Sequence, residues 1–209
     1  DWSDLSITVI NIMKSLRAFT LIEMMVAVSI FAIVMMIGVG ALLSLIETNK
    51  RAQAINSVMN NVNAAVENMT RSIRVGFTYH CEVSSSPQSP ATLATPQDCA
   101  SGGGKLFAFE SSDGDVTNPN DQVVYRLNGS QIERSLAAGA NGTWIAITAP
   151  EVTITDFQFY VTGSSPLTGV PADYTQPRVL MILRGVATVP KGQTDFTVQS
   201  TVTQRLLDI

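Results

Sequence analysis

Arg17-Ala18-Phe19-Thr20-Leu21-Ile22-Glu23-Met24-Met25-Val26-Ala27-Val28-Ser29-Ile30-Phe31 joins a basic segment to an apolar run that carries one carboxylate near its start. From Phe19 to Ile46 the only charged side chain is Glu23. A helix over those roughly 28 residues is about 42 Å long, more than the about 30 Å of a bilayer's hydrocarbon core. The run therefore predicts a membrane-spanning helix over residues 19–46. A plain anchor leaves Glu23 unexplained, because a carboxylate inside a span costs on the order of 2.5–3.5 kcal/mol on insertion scales. A cut between Ala18 and Phe19 would supply a partner. The freed α-amino group of one subunit can face Glu23 of a neighbour in a bundle of such helices, and the pairing offsets burial only in the assembled state.

A basic residue, a small residue and then Phe19-Thr20-Leu21-Ile22-Glu23 leading into an apolar helix resembles the processing and methylation signal of type IV pilins and of the pseudopilins of type II secretion. The resemblance implies that a prepilin peptidase cuts between Ala18 and Phe19 and N-methylates Phe19, and that Glu23 is the carboxylate required for assembly. Ala18 stands where the family usually has Gly. The resemblance also implies a bacterial inner-membrane protein that later enters a pilus or pseudopilus. Its implied partners are prepilin peptidase, other major and minor subunits, an inner-membrane assembly platform and membrane lipid. The alternative is an ordinary signal anchor with an incidental Glu.

Residues 1–18 form the leader. Met13-Lys14-Ser15-Leu16-Arg17-Ala18 alone has the form of a short basic leader, whereas residues 1–12 are acidic and apolar. Met13 is expected to be the true start, with residues 1–12 an upstream extension. Lys14 and Arg17 favour a cytoplasmic N-terminus, which places the C-terminal part outside the cytoplasm in a single-pass topology. A cleavable secretory peptide does not fit, because the small residue precedes the apolar run and the run is too long.

The 209 residues suit one membrane helix and one globular domain of ordinary size. A net charge of −4 with 14% charged residues gives no basic surplus, so a nucleic-acid partner is not indicated. Cys81 and Cys99 are an even pair suited to an oxidising compartment and are expected to bond, with a stabilisation of roughly 3 kcal/mol. Two buried or free thiols are the alternative. With no CxxC motif, redox catalysis and a zinc knuckle are poorly supported.

Gly38 and Gly40 soften the later part of the apolar run. Two readings stand side by side: close helix packing, and, from the family resemblance, a segment that stretches within a filament. Over residues 47–76 the pattern turns amphipathic. Ile55, Val58, Met59, Val62, Ala65, Val66, Met69 and Ile73 share one face, Lys50, Arg51, Asn60, Glu67 and Arg71 lie on the other, and Gly76 is a natural stop. Residues 77–104 lose periodicity and fill with Ser, Pro, Thr and Gly, so a long loop stapled by the cysteines is expected. Residues 105–209 predict an antiparallel β-sheet domain, with short runs at 105–109 and 144–148 and a hairpin of 122–127 and 130–136 about Asn128-Gly129. Longer alternating strands are predicted at 152–161, 178–189 and 196–203. The fold class is therefore α+β: a long N-terminal helix packed on an antiparallel sheet, which is pilin-like by the resemblance. Tyr125-Arg126-Leu127, Gln176-Pro177-Arg178-Val179 and Thr201-Val202-Thr203-Gln204-Arg205 are similar to fragments of J-type pseudopilins and W-type minor pilins.

Enzymatic chemistry finds little support. The single histidine, His80, adjoins Cys81, and a Cys–His nucleophile would need the thiol that the expected disulfide removes; a surface or partly buried loop histidine is the expectation. No nucleophile-elbow signature accompanies it. Asp113 and Asp115, within Asp113-Gly114-Asp115-Val116-Thr117-Asn118-Pro119-Asn120-Asp121, are a weak calcium candidate without the turn Gly and distal Glu of an EF-hand, and a polar turn is the expectation. No metal and no cofactor is expected. The chain thus reads as a non-enzymatic minor pilin or pseudopilin of a tip or initiation complex, with a membrane-tethered binding or enzymatic domain as the alternative. Peptide mapping of the unprocessed precursor is expected to yield an N-terminal peptide starting at Met13; a peptide spanning Ile12 and Met13 would refute that start.

Overall fold

The computed structural model describes residues 19–205, apart from residues 100, 166–174, 190 and 191. The leader, including Ala18, lies outside the described residues. The chain divides into two compact units, residues 1–49 and 50–209. One helix, α1 (Leu21–Val75), contributes to both and is unbroken through Gly38 and Gly40.

In the first unit the helix has no apolar contact to hide behind. Its large side chains are exposed throughout, with Phe31 63% and Met36 79% exposed. It is the one described helix long and apolar enough to cross a membrane. Its hydroxyls bond to their own backbone: Ser29 Oγ donates to the Met25 carbonyl at 2.7 Å, and Thr48 Oγ1 to that of Ser44 at 2.9 Å. Ser29, within the run 19–46, thus needs no water, as a spanning segment requires.

In the second unit the helix becomes one wall of a core. Val58, Val62, Ala65, Met69 and Ile73 are buried along one stripe, while Lys50, Arg51, Asn60, Glu67 and Arg71 are exposed on the opposite face. Strands β1 (Phe77–Glu82), β2 (Leu106–Glu110), β3 (Val123–Asn128), β4 (Gln131–Ser135) and β5 (Ile145–Ala146) form a five-stranded antiparallel sheet in that order. A second antiparallel sheet holds β6 (Val152–Thr162), β7 (Arg178–Val189) and β8 (Gly192–Thr203). The inner faces of both sheets close over the helical stripe in a single core. Tyr79, Phe107, Phe109, Tyr125 and Ile132 come from the first sheet, and Phe157, Phe159, Val179, Met181, Leu183 and Val202 from the second. Phe107 of the first sheet stacks on Phe159 of the second at 5.3 Å, and Phe157 meets Phe159 edge-to-face at 4.4 Å within β6, so aromatic rings join the two sheets at their centre.

The fold is α+β as expected, with two sheets where one was anticipated. Pro150 offers no N–H to a ladder, and the chain leaves the first sheet there before β6 begins. The strand anticipated at 144–148 shrinks to two residues, because Thr148 Oγ1 accepts from the backbone N–H of Ile132 at 3.0 Å and ends the ladder with a side chain. The segment 77–104, anticipated as loop, opens with β1 and includes a short helix, α2 (Pro90–Leu93), capped by Ser89. Tyr79 and Cys81 put one face of β1 into the shared core, and the Ser/Pro-rich sequence after it obscures that strand.

The end of α1 is fastened on both sides. The Tyr79 hydroxyl donates to the Ile73 carbonyl at 2.6 Å, and the Arg205 N–H to the Arg74 carbonyl at 2.8 Å, filling acceptors that a helix terminus leaves open. Burial pushes the Tyr79 phenol well above its ordinary range, so it stays a donor. Gly76 ends the helix through crowding: a Cβ there would lie 2.2 Å from a ring carbon of Phe109. Gly76→Ala is expected to destabilise the domain by about 1–3 kcal/mol through overpacking, read as a lower thermal midpoint of the detergent-solubilised chain.

Candidate functional site

Thr20 and Glu23 build the start of α1. The Glu23 backbone N–H donates to Thr20 Oγ1 at 3.3 Å, and the Met24 N–H to the Thr20 carbonyl at 3.2 Å, so Thr20 caps the helix and Glu23 is its third residue. The spacing Thr20-x-x-Glu23 is that of a capping box, and a carboxylate in the first turn suits the positive end of the helix dipole. The helix start therefore accounts for the backbone of this stretch. It does not account for the surroundings of Glu23. Its carboxylate is exposed among Leu21, Ile22, Met24 and Met25, themselves more than half exposed, and no described residue pairs with it. Phe19 is 74% exposed just before the cap. A negative charge thus stands free at the head of an apolar surface that also lacks cover.

The other singled-out residues lie elsewhere. Cys81 and Cys99 are joined in a disulfide with their Cα atoms 5.7 Å apart, buried against β6, where the Cys99 N–H donates to the Val161 carbonyl at 3.1 Å. Loss of the thiol leaves no Cys–His pair. His80 is fully buried on β1, in place of the anticipated surface or partly buried loop position. Its Nδ1 lies 2.7 Å from the Thr95 carbonyl and its Nε2 3.7 Å from Glu82. It sits on the outer face of the sheet, which the loop around Leu93 covers; alternation with Tyr79 and Cys81 is the signal that places it there.

Asp113 and Asp115 are exposed in the β2–β3 connection. Thr117 occupies Asp115 through its N–H at 2.9 Å and its hydroxyl at 2.7 Å, which hold that carboxyl below its usual value. No group of three His, Cys, Asp or Glu side chains among the described residues is placed to hold a metal ion. The same connection contains a feature that sequence reading passed over. Glu110, at the end of β2, is buried, and Gln122 Nε2 donates to its Oε2. A Glu after Leu106-Phe107-Ala108-Phe109 reads as the first residue of a turn; only the burial of β2 on both faces brings it inside.

Two comparisons with known families bear on these residues. Residues 13–39, which contain Phe19 and Glu23, match the prokaryotic N-terminal methylation motif. Residues 51–206, most of the chain, match the family described as prepilin peptidase-dependent protein B. No curated protein and no solved structure gives a significant match. Glu23→Ala is expected to leave the thermal midpoint of the domain and the membrane level of the protein unchanged while abolishing its co-purification with other pilin-type subunits. Co-purification at the wild-type level would remove Glu23 from assembly.

Proposed function

The chain belongs to the prepilin peptidase-dependent protein B family and carries the N-terminal methylation motif, so it is a minor pilin or pseudopilin; we propose that it serves in a tip or initiation complex. The observation that carries this reading is the unpaired Glu23 at the head of an uncovered apolar helix, on a motif whose description names methylation. Prepilin peptidase and other pilin-type subunits are its partners. In the proposed sequence of events, the peptidase cuts between Ala18 and Phe19 and methylates the new amine of Phe19. Glu23 then accepts that ammonium group from an adjacent subunit. Burial of both charges is tolerable only when they meet, so the pair sets register and penalises a misaligned helix.

The helix of residues 19–46 anchors the chain in the inner membrane, with the leader cytoplasmic and residues 77–209 outside, and later packs among neighbouring helices. The domain acts as a structural element without catalysis of its own, as domains of this family do. A minor subunit of a type IV pilus is placed slightly ahead of a J-type subunit of type II secretion, and the assembly platform of either machine would be the remaining partner. A clean deletion in the host, scored for surface pili and for exoprotein release, tests the assignment. Loss of pili with normal secretion is the expected result. Trapped exoproteins with normal pili would move it to secretion, and no change in either would return attention to a tethered domain.

A further inference from the structure

The β2–β3 connection buries more oxygen acceptors than it satisfies. Glu110 is 1% and Gln122 2% exposed, and they face each other across the two ends of the connection. The Gln122 Nε2 donates to Glu110 Oε2. Three oxygens at this point have no hydrogen-bond partner: Glu110 Oε1, Gln122 Oε1 and Asp121 Oδ1. The other oxygen of Asp121 accepts from the Asp115 backbone N–H at 2.9 Å, which folds the loop back over them. Gly114 lies so close that a Cβ would stand 1.8 Å from Glu110 Oε1. None of the ion pairs among the described residues involves Glu110, Asp121 or Asp115.

Burial in an interior of low polarity strongly penalises an uncompensated carboxylate. A proton on Glu110 Oε1 would make that oxygen a donor to one other, and so serve at most two of the three orphaned oxygens. The third would still have none. A hard cation needs several oxygens at once and serves all three. Zinc favours nitrogen and sulfur, and magnesium demands near-ideal octahedral geometry and retains water; calcium takes mixed carboxylate, amide and carbonyl oxygens in flexible geometry.

We propose that Glu110, Asp121 and the amide oxygen of Gln122 bind a calcium ion that ties the connection Ser111–Asp121 to the end of β2. The site is not the pair Asp113 and Asp115 singled out from sequence: Asp115 is held by Thr117, and Asp113 is exposed.

Calorimetric titration of the full chain in detergent micelles, stripped of metal, tests this with calcium chloride alone. One calcium per chain is expected, with a dissociation constant of about 10⁻⁴–10⁻³ M as in extracellular calcium modules, and a higher thermal midpoint in calcium than in chelator. Magnesium at equal concentration should give a smaller shift. Glu110→Gln and Asp121→Asn should each lose the calcium-dependent shift, and Asp113→Asn should keep it. In chelator Glu110→Gln should melt at or above the wild-type temperature, since the charge is gone and the shape kept, which separates a lost site from a lost fold. Absence of calcium heat, a shift surviving in Glu110→Gln, an equal magnesium shift, or loss of the shift in Asp113→Asn alone would overturn the assignment.

Discussion

Everything in the second unit depends on one stripe of α1. Val62, Met69 and Ile73 are wholly buried because two sheets, otherwise joined at few points, both turn their apolar faces to them. Neither sheet could close alone: the first has five strands of which the last is two residues long, and the second has three. The apolar inner faces of both sheets would lie in water without a covering element, and the helix supplies it. The helix also ties the two ends of the domain together, since the Ile73 and Arg74 carbonyls receive Tyr79 from β1 and Arg205 from just past β8. Burial and helix-end satisfaction are therefore one arrangement, centred on the last turn.

The same helix obeys a different rule over residues 21–46. There the side chains are apolar all round, which marks a helix destined for a uniformly apolar environment. Ser29 bonds back to its own helix. Glu23 is placed as in a capping box, yet its carboxylate pairs with no described residue. Its backbone is well placed at the capped helix start, and its charge is not. That mismatch between a satisfied backbone and an unsatisfied side chain is what a merely anchoring helix has no reason to contain.

How far the fold was legible follows from the strength of local signals. The amphipathic stripe Val58 to Ile73 and the Asn128-Gly129 hairpin lie within a few residues of their own causes, and both appear as anticipated. The division into two sheets depends on what β6 pairs with, a choice made between β7 and β5 far apart in sequence, with Pro150 as the only local hint. His80 and Glu110 illustrate the other blind spot. Both lie on the outer face of the first sheet, and a loop beyond Leu93 covers part of that face, so alternation alone would have placed them in water. Polar residues on a covered outer face look like surface residues until the cover is known.

Glu23 and Glu110 then pose one problem in two media. Each is a carboxylate to which no described residue brings a cation: the run after Glu23 carries no other charge up to Ile46, and the turn Ser111–Asp121 beside Glu110 has no basic residue. A buried charge can be made tolerable by neutralising it, by pairing it or by leaving it solvated. For Glu23 solvation ends when helices pack, and the nearest source of positive charge in an array of identical starts is the amine of another subunit. For Glu110 solvation has already ended in the isolated domain, and the three orphaned oxygens exceed what one proton can serve. In the proposed assembly and at the proposed ion site alike, the compensating charge comes from outside the described residues, and binding, of a neighbour or of an ion, is where the electrostatics of each carboxylate would close.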